Sequence, residues 1–141
     1  IRLLEQAFII TRLQPLSRNL RNEISTMRKI YFWDTGVRNM LIGNFNSLQS
    51  RTDVGALWEN FLVVERMKYF QYHGLVGNRY FWRTKTQQEI DYVEERDGKL
   101  YAFEFKLNPA KKFKFPKSFM EAYPNASTKV ISPEQLEAFI L

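Results

Sequence analysis

A chain of 141 residues with 45% apolar and 16% aromatic content has enough hydrophobic material for a single domain with a packed core, which excludes a disordered segment. It contains no cysteine and one histidine, His73, so disulfide scaffolds, thiolate zinc sites and multi-histidine metal clusters are excluded. The net charge of +6 is uneven: +4 over residues 1–40, 0 over residues 41–100 and +2 over residues 101–141, so a basic surface for an anionic partner is expected at the two ends.

Taken in chain order, Ile1 to Ile10 reads as the end of a helix, and Ile9 to Leu16 as a short extended segment stopped by Pro15. Arg28 to Trp33 alternates as a strand, and Asp34 is placed to cap a short helix through Leu41. A helix, two strands and a basic loop between them read as the last third of a winged-helix unit. We therefore expect residues 1–44 to be a winged-helix remnant or connecting segment cut from a longer protein. The polar run Gly43-Asn44-Phe45-Asn46-Ser47 marks the boundary, and residues 45–141 form the principal domain.

Beyond it, Asp53 is expected to cap a long helix from Val54 to about Tyr72. Arg79–Arg83 and Glu89–Glu94 are strands, and Asp97-Gly98 is a two-residue hairpin turn into the strand Lys99–Leu107. Pro116 opens a helix to Ala122, and Thr128–Ile131 is a β-branched strand. Ser132 and Gln135 form a capping box, with Pro133 at the first position of a last helix. Helix, three strands, helix, strand, helix is an α/β order with a partly antiparallel sheet. No apolar run reaches the length of about 18 residues that spans a bilayer, so no membrane segment is expected and a cytoplasmic location is the default.

Period-two alternation in Lys99–Leu107 puts Tyr101, Phe103, Phe105 and Leu107 on one face, and Leu100, Ala102, Glu104 and Lys106 on the other. The second face therefore turns from apolar to charged along the strand. Across the hairpin, the same alternation groups Ile90 with Tyr92, and Asp91 with Glu89 and Val93, so Asp91 and Glu104 can converge. Two carboxylates beside a lysine suit Mg²⁺, which takes one or two carboxylates and keeps sites for water and phosphate oxygens. The same pattern also describes a solvated ion pair on a strand. On the long helix, Glu59 falls in an apolar stripe with Ala56, Leu62, Val63, Met67 and Phe70. A carboxylate there needs a partner: Arg66 two turns away, or a metal shared with Asp91 and Glu104.

Arg83 and Lys85 beside the aromatics Tyr80 and Trp82, and Lys111, Lys112 and Lys114 in a lysine-rich loop, are candidate phosphate contacts on DNA. Tyr80 and Trp82 themselves are expected in the core, and His73 at the C-terminal end of the long helix. No G-x-x-x-x-G-K-[ST] motif occurs, so no P-loop ATP site is expected in this chain.

Four blocks in order carry a resemblance: Gly55-Ala56-Leu57-Trp58-Glu59-Asn60-Phe61, Tyr80-Phe81-Trp82-Arg83-Thr84-Lys85, Glu89-Ile90-Asp91-Tyr92-Val93 and Phe103-Glu104-Phe105-Lys106. With Arg28-Lys29-Ile30-Tyr31-Phe32-Trp33-Asp34-Thr35-Gly36 as an entry motif, the chain resembles the uncharacterised C-terminal domain of bacterial and archaeal AAA-type ATPases over about residues 1–132. That domain is similar in turn to the PD-(D/E)XK, restriction-endonuclease-like fold. The resemblance implies an α/β nuclease-like core, Mg²⁺ as cofactor, DNA as partner and an ATPase core N-terminal to it. It implies Asp91 and Glu104 as metal ligands, Glu59 as an accessory ligand and Lys106 as the group assisting the attacking water. Position 90 is isoleucine where the motif's name has proline. The alternatives at this point are an active nuclease, a catalytically silent DNA- or protein-binding module regulating the ATPase, and a structural domain.

Overall fold

The computed structural model describes residues 1–18 and 21–141. In chain order its elements are α1 (Arg2–Gln6), β1 (Ile10–Pro15), β2 (Lys29–Phe32), α2 (Thr35–Leu41), α3 (Val54–Tyr72), β3 (Asn78–Arg83), β4 (Glu89–Arg96), β5 (Lys99–Phe105), α4 (Lys117–Ala122), β6 (Ser127–Ile131) and α5 (Leu136–Ile140). Short 3₁₀ turns at Leu48–Ser50 and Pro133–Gln135 precede α3 and α5. Six strands form one mixed sheet in the order β2-β1-β3-β4-β5-β6. The β1–β3 and β5–β6 pairs are parallel and the other three antiparallel. The two strands from the segment expected as a winged-helix remnant thus extend the edge of the same sheet.

Both sheet faces are covered, as an α/β sheet requires. One core gathers Phe81, Tyr92, Phe103 and Phe105 of the strands against Leu62, Val63 and Met67 of α3 and Phe139 of α5. The other packs Trp82, Ile90, Val93 and Ala102 against Phe119 and Tyr123 at α4. Trp82, Tyr92, Phe81 and Phe119 are fully buried, and aromatic side chains of this size dominate the burial free energy.

Local signals set most boundaries. Asp34 accepts from the Gly36 and Val37 backbone N–H groups at 2.6 and 3.1 Å and starts α2. Asp97 and Gly98, both at positive φ (51° and 72°), turn β4 into β5. Ser132 and Gln135 form the expected capping box. Asp53 precedes α3 as expected, but its carboxylate is drawn to Arg51 (2.8 and 2.9 Å) and Arg38 (2.8 Å) instead of the helix N–H groups. Two cations outcompete neutral amide donors for one carboxylate.

Two tertiary features aim the site. The Asn60 side chain of α3 accepts from the Phe32 N–H and donates to the Phe32 carbonyl, both at 2.8 Å, and so docks the edge strand β2 on α3. In the β3–β4 ladder, Tyr80 pairs with Val93 and Trp82 with Ile90, so Phe81 alone faces Asp91 and Tyr92. That bulge breaks the alternation expected for β4: Ile90 lies in the α4-side core and Tyr92 in the α3-side core.

Candidate functional site

The hairpin ladder between β4 and β5 runs from Arg96–Lys99 to Tyr92–Phe103. At its end, beyond the bulge, the Asp91 carboxylate takes over: Oδ2 accepts the Phe105 N–H at 2.9 Å. Asp91 is thereby held beside Glu104, the neighbour of Phe105. Burial, then the negative charges of Glu59 and Glu104, push the Asp91 carboxyl from its usual 3.8 up to about 7, against the pull of Lys29 and the Phe105 N–H.

Glu104 is 5% exposed. Its Oε1 accepts from Lys106 Nζ at 2.5 Å, while Oε2 is buried with no hydrogen-bond partner among the described residues. Burial raises the Glu104 carboxyl above its usual range, opposed by the Lys106 ammonium. Lys106 in turn lies over the Phe113 ring, 4.8 Å from its centroid. At the end of β4 and β5, Asp91 is thus tied to the backbone N–H next to Glu104, and Glu104 to Lys106. A buried carboxylate oxygen with no donor is a costly feature that a bound cation would relieve.

Glu59 does not pair with Arg66. Its Oε1 accepts from Lys29 Nζ at 2.8 Å and from the Tyr31 hydroxyl at 2.7 Å, both on β2. Lys29 Nζ also pairs with Glu89 Oε1 and lies 3.8 Å from Asp91 Oδ1. Burial disfavours the Lys29 charge, but Glu59, Asp91 and Glu89 outweigh it and hold the ammonium above its usual value. Burial and Glu59 likewise raise the Tyr31 phenol well above 10. Among the described residues no group of three or more His, Cys, Asp or Glu side chains is arranged to hold a metal ion. Glu59 thus belongs to a lysine-centred cluster. A cavity of about 380 Å³ lined by Lys29, Tyr31, Arg38, Glu59, Asn60 and Glu89 opens beside it.

Arg66, the expected partner of Glu59, instead pairs with the buried Glu94 at 2.6 and 3.1 Å. It also donates to the Phe139 carbonyl and lies 4.7 Å from the Tyr69 and Phe139 ring centroids. It ties α3, β4 and α5 together. Sequence reading missed both Lys29 and Glu89 as site residues; the signal available was a charged residue alternating with aromatics on an otherwise apolar strand.

The expected phosphate contacts lie at the end of β3, just after it, and in the segment between β5 and α4. Arg83 pairs with Glu89 at 3.4 Å, and Lys85, Lys111, Lys112 and Lys114 are exposed. Trp82 is fully buried and Tyr80 packs against the α4-side core, as expected. His73 sits exposed at the end of α3, its Nδ1 2.9 Å from the Tyr69 carbonyl. A cavity of about 610 Å³ lies where β1 and β3 part and is lined by none of the predicted site residues. No helix among the described residues is long and apolar enough to cross a membrane.

Comparison with known proteins adds sequence relatives. The model of a family described as a domain of unknown function, DUF4143, matches residues 54–138, and that of a second, DUF8612, matches residues 1–48. Uncharacterized proteins of Mycobacterium tuberculosis and Mycobacterium bovis are each 30% identical over 105 residues, which is 73% of this chain and 23% of theirs. The chain therefore spans under a quarter of the length of these relatives. No solved structure matches.

Proposed function

The chain belongs to the DUF4143 family of domains of unknown function, and from the Asp91–Glu104–Lys106 corner we propose that it is a nuclease-like module of the PD-(D/E)XK class. In this reading it is the C-terminal part of a AAA-type ATPase, binds DNA and hydrolyses phosphodiesters with Mg²⁺. The observation that carries the reading is the buried, unpartnered Glu104 Oε2 beside an Asp91 whose proton is retained to about 7. Both features signal a place built for a cation. The six-stranded mixed sheet with helices on both faces and the placement of Glu104-Phe105-Lys106 at the end of a central strand support the same class.

Asp91 and Glu104 would hold the ion, which when bound would polarise the phosphodiester and lower the pKa of an attacking water. The Lys106 ammonium, anchored on Glu104, is placed to orient that water or to offset charge growing on the phosphate. Asp91 must lose its proton to take a cation, so metal loading rises with pH through about 7. Arg83, Lys85, Lys111, Lys112 and Lys114 supply phosphate contacts at the periphery.

The test is cleavage of linear and supercoiled DNA with and without Mg²⁺, in wild type and in Asp91→Ala, Glu104→Ala and Lys106→Ala. Metal-dependent cleavage lost in all three folded variants is the expected result. A second reading, a catalytically silent module that binds DNA or protein for the attached ATPase, is favoured by the lysine-centred cluster around Glu59. Salt-sensitive DNA binding without cleavage, indifferent to Asp91→Ala, selects it.

A further inference from the structure

Lys29 is the centre of a three-carboxylate nest that shares Asp91 with the proposed metal site, while Lys29 and Glu89 have no part in the cleavage chemistry. Glu59 comes from α3, Glu89 and Asp91 from β4, and the ammonium from β2, an edge strand. The Lys29 side chain is only 17% exposed. The Tyr31 hydroxyl fixes Glu59 from the same strand, and the Asn60–Phe32 pair fixes the strand itself. A side chain held by this many neighbours is not a passing surface ion pair.

We propose that Lys29 is a resident counter-ion standing where a second divalent cation would otherwise bind, so that the Glu59–Glu89 half of the cluster takes no metal and any metal is confined to Asp91 and Glu104. The inference rests on the metal-site reading above and deepens it. Hydrolytic sites with two metals place them roughly 3.5–4 Å apart, sharing a carboxylate. Here Asp91 has that shared position: its Oδ1 faces Lys29 at 3.8 Å, and its carboxylate lies beside Glu104. Lys29 Nζ lies 2.8 Å from Glu59 Oε1, pairs with Glu89 Oε1 and faces Asp91 Oδ1, so one ammonium already supplies the positive charge these three carboxylates share. The nest is therefore set for the organic cation.

Lys29 lies in the part matched by the second family model, residues 1–48, while Glu59, Glu89 and Asp91 lie in the part matched by the first, residues 54–138. The N-terminal segment therefore completes the site electrostatically as well as extending the sheet.

The test counts bound Mn²⁺ per chain by electron paramagnetic resonance at pH 8, in wild type, Lys29→Met and Lys29→Arg. Lys29→Met is expected to bind one ion more than wild type, and Lys29→Arg the same number as wild type. Adding Glu59→Gln to Lys29→Met is expected to remove the extra ion. An unchanged count in folded Lys29→Met, or a gain in Lys29→Arg, overturns the proposal. If Lys29→Met unfolds in chelator, recovery of its far-ultraviolet dichroism on adding Mn²⁺ supports the proposal, and failure to recover overturns it. A wild-type count of zero refutes the metal-site reading above, while the difference between variants still decides the role of Lys29.

Discussion

Replacing Asp91 by asparagine should stabilise this protein at alkaline pH while removing a ligand of the proposed metal site. Asparagine is nearly the same size and keeps an oxygen to accept the Phe105 N–H at the strand end. What it removes is a charge that the fold resists. A carboxyl raised from 3.8 to about 7 binds its proton more tightly folded than unfolded. The native state therefore carries more protons between those values, and wild-type stability falls as pH rises across that window. At about 1.36 kcal/mol per unit, a rise of about three units sets a ceiling of about 4 kcal/mol. Side-chain relaxation and water entry at a residue 15% exposed bring the expected gain to about 2–3 kcal/mol at pH 8, vanishing below about pH 4. Urea unfolding in EDTA at both pH values, with a slope of about 2 kcal/mol/M, should show the Asp91→Asn midpoint about 1 M higher at pH 8. A variant no more stable than wild type at pH 8, or equally stabilised at pH 4 and pH 8, refutes the reasoning.

Two further outcomes follow from the same geometry. Arg66→Met leaves the buried Glu94 carboxylate only Arg96, whose Nε lies 3.1 Å from Oε2, and should cost up to about 3 kcal/mol by chemical denaturation. Adding Glu94→Leu should restore most of that loss, and a single variant within 1 kcal/mol of wild type on the same order-of-magnitude scale would show that the pair is not insulated from water. Substituting Lys111, Lys112 and Lys114 together by alanine should leave the fold unchanged, because all three are exposed. It should also flatten the dependence of log DNA affinity on log salt by up to about 0.9 per lost phosphate contact. An unchanged slope places the DNA contact elsewhere.

The parts of the fold legible in the sequence are those governed by neighbours in the chain. The Asp97-Gly98 turn, the Ser132–Gln135 cap, the Asp34 cap and the alternation along β5 each follow from residues within a few positions of one another. The misread features share the opposite character. Asp53 has the right residue type and position for a cap, yet Arg51 and Arg38 claim it. Ile90 and Tyr92 obey strict alternation on paper and are parted by the bulge opposite Phe81. Glu59 on its apolar stripe calls for a partner, and the one it meets is Lys29, 30 residues away on an edge strand, while Arg66 goes to Glu94.

With no cysteine and a single histidine, the sequence by itself left carboxylates and lysines as the available chemistry, and its periodicities ordered the helices and strands that carry them. Only the tertiary structure decided which charge meets which. The β4 bulge turns Asp91 toward Lys29 as well as Phe105, and the Asn60–Phe32 clamp brings Lys29 onto Glu59. Alternation and capping are set by short-range sterics and hydrogen bonds, whereas the partner of a buried charge is chosen by whatever opposite charge the packed elements bring within reach.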